Sequence, residues 1–573
     1  MTAEQPIAIS DPDLYDALPG EQETTNARVA GASGILALGN ICSRILGLTR
    51  EIVLTFLFGA TGAVDALQVA IIVPKAIYDL LIGGHINGAI VPVLSDVITL
   101  RGKDELWRVL SALVSLVIAA LAVLVILIEV FAPQIVPLVA PGTDAETRQL
   151  AIQLLRLTAP SLLFLSLFAV FSGALFALRS FTLPAFAGVV FNGCIVLVTL
   201  ALAPSVVWQP LLADRAEIFP FVLARPAGGI MVVALGWLAG AAAQMILQMP
   251  GLRLRRLRLS VNWRHPALRS IALLYLPVMF SLSMDTLIIR PFSYRLASLT
   301  GDGGIAIMNW ATTLVQFPQG LVATAISIAI LPTLARQSAE MTAQAQRAFK
   351  DTLGLGLRLA TTLILPAATG LFVLAVPIIA LLFENGAFLA GDTEITAGAL
   401  RLYLIGLPFA AIDLLLVYAF YARKDTLTPA LIGIVSLVCY MGVALLLFES
   451  YGLFSLMAAD SVKHFVHASI SCVILWRRLG GFGGQRLRRT MFKSALASII
   501  MAAIALVTLP SLMDWIGDVS ILNELLLVVL CALLYGAVFV LAARWLKLPE
   551  LSWLLNLLRQ RLAKLPAADE SKA

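Results

Sequence analysis

Long apolar runs separated by short, mostly basic stretches set the pattern of this chain. A helix that crosses the hydrocarbon core needs about 20 mainly apolar residues in succession. Fourteen segments meet that length: 31–58, 65–98, 109–131, 150–178, 183–203, 229–250, 271–296, 305–334, 356–382, 395–421, 428–448, 452–476, 491–513 and 521–543. Gly47, Pro74, Gly83, Gly84 and Pro318 fall inside these runs. Helix breakers of that kind persist in lipid only where protein or a wet cavity satisfies the freed backbone groups. Loops after even-numbered segments, with the C-terminal tail, hold 26 lysines and arginines; loops after odd-numbered segments hold three, Arg148, Arg215 and Arg225. The positive-inside rule then places both termini in the cytoplasm. A wrong span count would scramble the alternation.

The pattern also repeats. Arg156 aligns with Arg401, Ala177 with Ala422, and Pro184-Ala185 with Pro429-Ala430, all at an offset of 245, and "IVPVL" (90–94) recurs as "ILPTL" (330–334). Each unit holds six segments, an even number, so the copies share one orientation about an axis along the membrane normal. The expected fold is an all-α polytopic membrane protein with 14 transmembrane helices: two parallel six-helix lobes around a central cavity, plus two C-terminal helices. The corresponding divisions are a polar tail (1–29), an N-terminal lobe (30–250), a basic linker (251–270), a C-terminal lobe (271–480), segments 13 and 14 (481–545) and a second tail (546–573). In that last stretch Leu551, Trp553, Leu554, Leu558 and Leu562 alternate with Arg559, Arg561 and Lys564, which suits a helix lying on the inner membrane surface.

Composition narrows the function classes. The chain has 573 residues, 60% hydrophobic and 13% charged, with a mean hydropathy of +0.94. Soluble domains run near about 45–50% apolar and about 25% charged. A water-soluble enzyme, a disordered chain and a nucleic-acid-binding domain are thereby excluded. The net charge of +6 is dispersed between apolar runs and makes no nucleic-acid surface. Cys42, Cys194, Cys439, Cys472 and Cys531 lie in or beside apolar segments with no metal or disulfide spacing, and so behave as small hydrophobes. The acidic first 29 residues are not a signal peptide. No nucleophile elbow, phosphate-binding glycine loop, zinc signature or nucleotide motif occurs, so a transporter without cofactor is expected rather than an enzyme.

Charges inside spans are the candidate chemistry, because each costs at least about 2.5–3.5 kcal/mol on insertion scales and survives beside a cavity or a partner. Segment 1 carries Arg44, Arg50 and Glu51; segment 2 carries Asp65, Lys75, Asp79, His85 and Asp96; segment 7 carries Asp285, Arg290 and Arg295. Arg44 and Arg50 lie about 9 Å apart along a helix and about 120° from eclipsed, a spacing that follows an extended anion through a curved cavity. Segment 7 is the repeat partner of segment 1, so Arg290 and Arg295 occupy a comparable place. Guanidinium groups suit phosphate because their fork donates two parallel hydrogen bonds. The plainer alternative is that these arginines snorkel to an interface or pair with Glu51, Asp79 and Asp285. On segment 12, Asp460, Lys463, His464 and His467 share one helical face, a candidate proton relay or cation site, or else a static salt-bridged face. It lacks a third strong metal ligand and includes Lys463, so no metal site is expected. Asp413 on segment 10 is a lone carboxylate.

Ordered motifs give these residues a context. "SRILGLTRE" (43–51), "FGA" (58–60), "VDA" (64–66), "GAIVPVL" (88–94), "LLRLTAPSLLFLSL" from 154, "LPAF" (183–186), "FPQGLVATAISIAILPTL" (317–334), "LFENGAF" (382–388), "GLP" (406–408) and "FYARKDTLTP" (420–429) resemble the MurJ/MviN family of lipid II flippases. That family sits within the multidrug/oligosaccharidyl-lipid/polysaccharide exporter superfamily. The resemblance runs from about residue 33 to 480. It implies a fourteen-helix flippase of the bacterial cytoplasmic membrane that moves undecaprenyl-pyrophosphate-linked disaccharide-pentapeptide from the inner to the outer leaflet. It further implies a groove for the lipid tail on segments 13 and 14, and functional positions at Arg44, Arg50 and Asp65. The chain departs from the pattern at Tyr78-Asp79 and at Thr313, where the family carries arginines, and at Gly83-Gly84, where it carries an acidic-Gly pair. Lys75, Arg290 and Arg295 are the candidate replacements.

The expected activity is therefore alternating-access flipping of a polyprenyl-pyrophosphate glycolipid, with Arg44, Arg50, Asp65, Lys75, Asp79, Arg290 and Arg295 as the substrate-binding set. The membrane potential, worth about 2.3 kcal/mol per charge per 100 mV, or counter-movement of Na⁺ or H⁺ would drive it. Asp285, Asp413, Asp460, His464 and His467 are the ion-coupling candidates. Partners are the glycolipid, membrane lipids and candidate cell-wall synthesis proteins, and a monomer is expected. The alternatives are a flippase for another polyprenyl-linked glycan, a cation-coupled exporter of small amphiphiles, and a non-transporting scaffold descended from a flippase.

Overall fold

The computed structural model describes residues 19–80, 90–202, 229–252, 265–273, 284–340, 342–517 and 521–552, with isolated positions between 257 and 263; side chains are described from residue 34 onward, outside 284 and 285. The protein is a multi-pass membrane protein built of helices. Each of the fourteen segments is helical over most of its described residues. Ten helical stretches among the described residues are long and apolar enough to cross a membrane by themselves. Segments 1, 2, 7 and 12 are not among these ten; segments 2 and 7 are described only in part, on either side of residues 81–89 and 274–283.

Most observed helices outrun the apolar segments, because a helix need not stop where the hydrocarbon does. Segment 9 lies within Ala343–Val373 and continues, after a kink, as Ala375–Phe383. Segments 2 and 3 are joined by a helix that breaks only at Gly102, whose φ of 82° is left-handed. Segment 4 is split at Ala159-Pro160 into Ala145–Thr158 and Ser161–Ala177, where proline removes a backbone donor. Two π turns widen the helices beside the lobe interface: Met284–Ile289 before Arg290, and Gln319–Thr324 after Pro318.

The internal repeat is visible in the structure. Segments 4 and 10 span 145–177 and 390–422, and segments 5 and 11 start at Thr182 and Leu427, all at the offset of 245. Both segment 4–5 and segment 10–11 turns place a basic residue in the left-handed region, Arg179 (φ 61°) and Lys424 (φ 59°). Arg156 and Arg401 each donate Nε to a carbonyl late in the preceding span, Glu129 O at 3.3 Å and Phe372 O at 3.2 Å. Segments 1, 5 and 6 pack together in the first lobe, and segments 10, 11 and 12 in the second. Segments 13 (Leu487–Ile516) and 14 (Ile521–Trp545) lie against segment 9.

The lobes meet in a seam at the ends that carry the odd-numbered loops. Gly59 and Gly386 both have positive φ, 61° and 72°. A Cβ on Gly59 would sit 2.2 Å from Ala387 O, and one on Gly386 2.3 Å from Phe56 O, so only glycine permits this approach. Ala387 N–H donates to Phe56 O at 2.9 Å, and Gly142 N–H to Ser298 Oγ at 3.1 Å. Trp310, Phe383 and Phe388 cluster under the seam with centroids 5.5–6.0 Å apart.

The C-terminal tail begins as packed structure. Glu550 is buried, paired with Arg358 at 2.8 Å and accepting from Thr490 Oγ1 at 3.1 Å, while Leu548 and Leu551 are buried beside segments 13 and 14. The remainder of the expected surface helix, from Trp553 on, lies outside the described residues, as do His85, Gly83, Gly84, Arg215, Arg225 and the first 18 residues.

Candidate functional site

A cavity of about 510 Å³ lies between the lobes. Segments 1, 2 and 6 wall it from one side and segments 7, 8, 10 and 12 from the other. Its ionisable lining is Arg50, Glu51, Lys75, Arg290, Asp460, Lys463 and His464, and its neutral polar lining includes Gln68, Asn309, Thr312, Thr313, Gln316 and Gln319. Polar side chains in apolar spans are retained where they face such a cavity.

Arg50 is fixed on three sides. It pairs with Glu51, donates to Asn192 Oδ1 at 3.0 Å on segment 5, and stacks 5.6 Å over the Trp237 ring on segment 6. Glu51, buried, accepts a second hydrogen bond from Trp310 Nε1 at 3.1 Å on segment 8. On the opposite wall, Arg290 follows the π turn of segment 7 and donates to Asp79 Oδ2 at 3.2 Å, the same oxygen that Lys75 Nζ reaches at 3.0 Å. Asp460 pairs with Lys463 and lies 3.6 Å from His464 Nε2, and the Lys463 ammonium sits 5.6 Å from the Tyr440 ring centroid. The four lining cations thus each have a protein carboxylate beside them. Both sequence-based alternatives for Arg50 and Arg290 are present at once: each lines the cavity and each is paired.

The other candidates are placed differently. Arg44 lies beside the cavity and reaches segment 8, donating to Gln316 O at 3.4 Å. A Cβ on Gly320 would fall 2.6 Å from its guanidinium, so that glycine makes its seat. Asp65 was expected among the substrate-binding residues. It is buried instead, 2% exposed, and accepts from Ala306 N–H at 2.8 Å at the start of Gly304–Pro318. A carboxylate at a helix N-terminus satisfies orphan donors and the helix dipole, so Asp65 ties the lobes together outside the cavity. Arg295 is exposed and off the cavity, since five residues turn a helix by about 140° from Arg290. Thr313 lines the cavity and bonds its own helix at Asn309 O, 2.9 Å. Asp413 and His467 pair at 2.5 Å between segments 10 and 12, away from the lining; the side chain of Asp285 lies outside the described ones.

Sequence reasoning passed over Asn192, Trp237, Trp310 and Tyr440. The asparagine carries a readable signal, a neutral amide in an apolar span, whereas the aromatic residues resemble ordinary core.

A family model described as "Lipid II flippase MurJ" matches residues 54–528. The chain belongs to that family. Among relatives, a probable lipid II flippase MurJ of Haemophilus influenzae is 28% identical over 525 residues, covering 87% of this chain and 97% of that protein. A lipid II flippase MurJ of Burkholderia cenocepacia is 31% identical over 407 residues, covering 69% and 73%. A solved structure titled lipid II flippase MurJ in an inward closed conformation superposes with a TM-score of 0.69 at 22% identity, over 89% of this chain and 99% of that one. An inward-facing multidrug resistance transporter of the MATE family, in the MOP superfamily, gives 0.61 at 16% identity, over 78% and 96%. These two likenesses concern the fold. Family membership makes the protein a transporter rather than an enzyme.

Proposed function

We propose that this protein is a lipid II flippase: it carries the undecaprenyl-pyrophosphate-linked peptidoglycan precursor from the inner to the outer leaflet by alternating access. The observation that carries the reading is a charged cavity between two repeat-related lobes in a chain of this family. Arg50, Lys75 and Arg290 supply hydrogen-bond donors for a diphosphate from both lobes, and Arg44 borders the path between segments 1 and 8. With both termini in the cytoplasm, as the 26-to-3 distribution of basic loop residues supports, the glycine seam at Gly59 and Gly386 closes the outer end. The conformation is then inward-facing, and rocking of the lobes about the cavity must break that seam.

The apolar outer faces of segments 13 and 14, with Leu506, Val507, Leu533 and Leu541 exposed, supply a surface for the prenyl tail. The Asp413–His467 pair and the Asp460–Lys463–His464 cluster are where proton or Na⁺ counter-movement would act. Depletion of the protein in its own bacterium tests the reading. Lipid II is expected to accumulate in the inner leaflet while its synthesis continues; unchanged leaflet distribution with normal wall growth would refute it.

A further inference from the structure

We propose that Asp79 is a resident anion that occupies the diphosphate-binding cations of the empty cavity, and that the lipid-linked diphosphate must displace it to bind. The inference rests on the flippase reading above and deepens it by assigning a built-in competitor for the substrate's charged group.

The geometry is specific. A single carboxylate oxygen, Asp79 Oδ2, accepts from Lys75 Nζ at 3.0 Å and from Arg290 at 3.2 Å. Lys75 comes from the first lobe and Arg290 from the second, and both line the cavity. Among the described side chains, the four lining cations, Arg50, Lys75, Arg290 and Lys463, stand beside three carboxylates, Glu51, Asp79 and Asp460. The empty cavity is therefore close to neutral, and a diphosphate gains its ligands only where a carboxylate lets go.

Asp79 is the carboxylate placed to do so. Glu51 is 5% exposed and is held by Trp310 as well as Arg50. Asp460, as exposed as Asp79, has both its partners, Lys463 and His464, one turn along its own helix and none from the other lobe. Asp79, half-buried, takes one of its two cations from the opposite lobe and sits just past the end of Gly62–Tyr78, where the helix widens. One carboxylate charge serves two cations there. A diphosphate brings more charge and more acceptor oxygens, suits both guanidinium and ammonium, and repels a carboxylate at the same position. Its arrival also severs the Asp79–Arg290 contact between segments 2 and 7, so occupancy of the site loosens a polar tie between the lobes.

Binding of undecaprenyl diphosphate and of uncharged undecaprenol to the purified full-length chain tests this. Asp79→Asn is expected to bind the diphosphate about tenfold tighter than wild type, one decade of affinity for one removed competitor, with undecaprenol unchanged. Asp79→Ser should show the same gain should the amide variant fold poorly, Asp79→Glu should return towards wild type, and Asp79→Asn with Arg290→Gln should lose the gain. Equal or weaker diphosphate binding by the Asn and Ser variants overturns the displacement. A wild-type chain that does not distinguish the two lipids overturns the flippase reading itself.

Discussion

Glu51 joins two spans through one carboxylate. It neutralises Arg50 beside it and accepts from Trp310 at 3.1 Å across the lobe interface. Removing one partner of a buried ion pair leaves an uncompensated charge, at a cost of about 3–5 kcal/mol when burial is complete. Arg50 keeps Asn192 and the Trp237 face, so Glu51→Gln should cost less, about 1–3 kcal/mol. Denaturant unfolding in detergent reads that loss; unchanged stability would show that Asn192 and Trp237 hold the arginine by themselves. At this scale the sequence is readable where a residue is costly in lipid. Arg44, Arg50, Lys75 and Arg290 stand out from apolar runs for that reason. Which way they point does not: Asp65 and Arg295 have the right type and approximate depth, yet one caps a helix and the other faces outward. The aromatic partners Trp237 and Trp310 carry no such penalty and stay hidden among apolar neighbours.

The turn between segments 10 and 11 shows what a specific motif can encode. In "ARKDTLTP", Lys424 adopts a left-handed φ, Asp425 N–H returns to Phe420 O at 3.0 Å, and the Asp425 carboxylate accepts from the Thr428 N–H at 2.9 Å and from its hydroxyl at 2.6 Å. Arg478, at the end of segment 12, closes the corner on Asp425 and Thr428. Partial burial pushes the Asp425 carboxyl up, but the Thr428 hydrogen bonds and Arg478 outweigh it and hold it below its usual value. A depressed carboxyl stabilises the fold above its ordinary value and loses that contribution as pH falls through the folded one. Asp425→Ala is therefore expected to melt lower than wild type at neutral pH, by the equivalent of about 1 kcal/mol, with the gap closing below about pH 4. A gap that persists in acid would mean the loss comes from packing rather than charge. This motif is thus a structural corner, and the same turn recurs 245 residues earlier at Arg179. Spans and repeat were legible because lipid imposes length and apolarity on every span; helix ends beyond the hydrocarbon, such as the start of segment 9 at Ala343, are under no such constraint.

At the scale of the whole molecule, charged residues of segments 1, 2, 7 and 12 meet in one cavity, and the glycine seam closes one end of it. The sequence suggests a cationic cavity. The structure instead holds ion pairs, because burying unpaired charge is expensive and a carrier must be stable when empty as well as loaded. Pairing of that sort depends on which helix faces pack together, which spacing along a single chain does not disclose. Exchange of fluorescent lipid II between leaflets of liposomes containing the purified chain tests the central claim most directly. The account predicts exchange well above that of empty liposomes, falling at least about tenfold, the worth of one charge-assisted contact, in Arg50→Ala and again in Arg290→Ala. Exchange no faster than in empty liposomes, or undiminished in both variants, would contradict it.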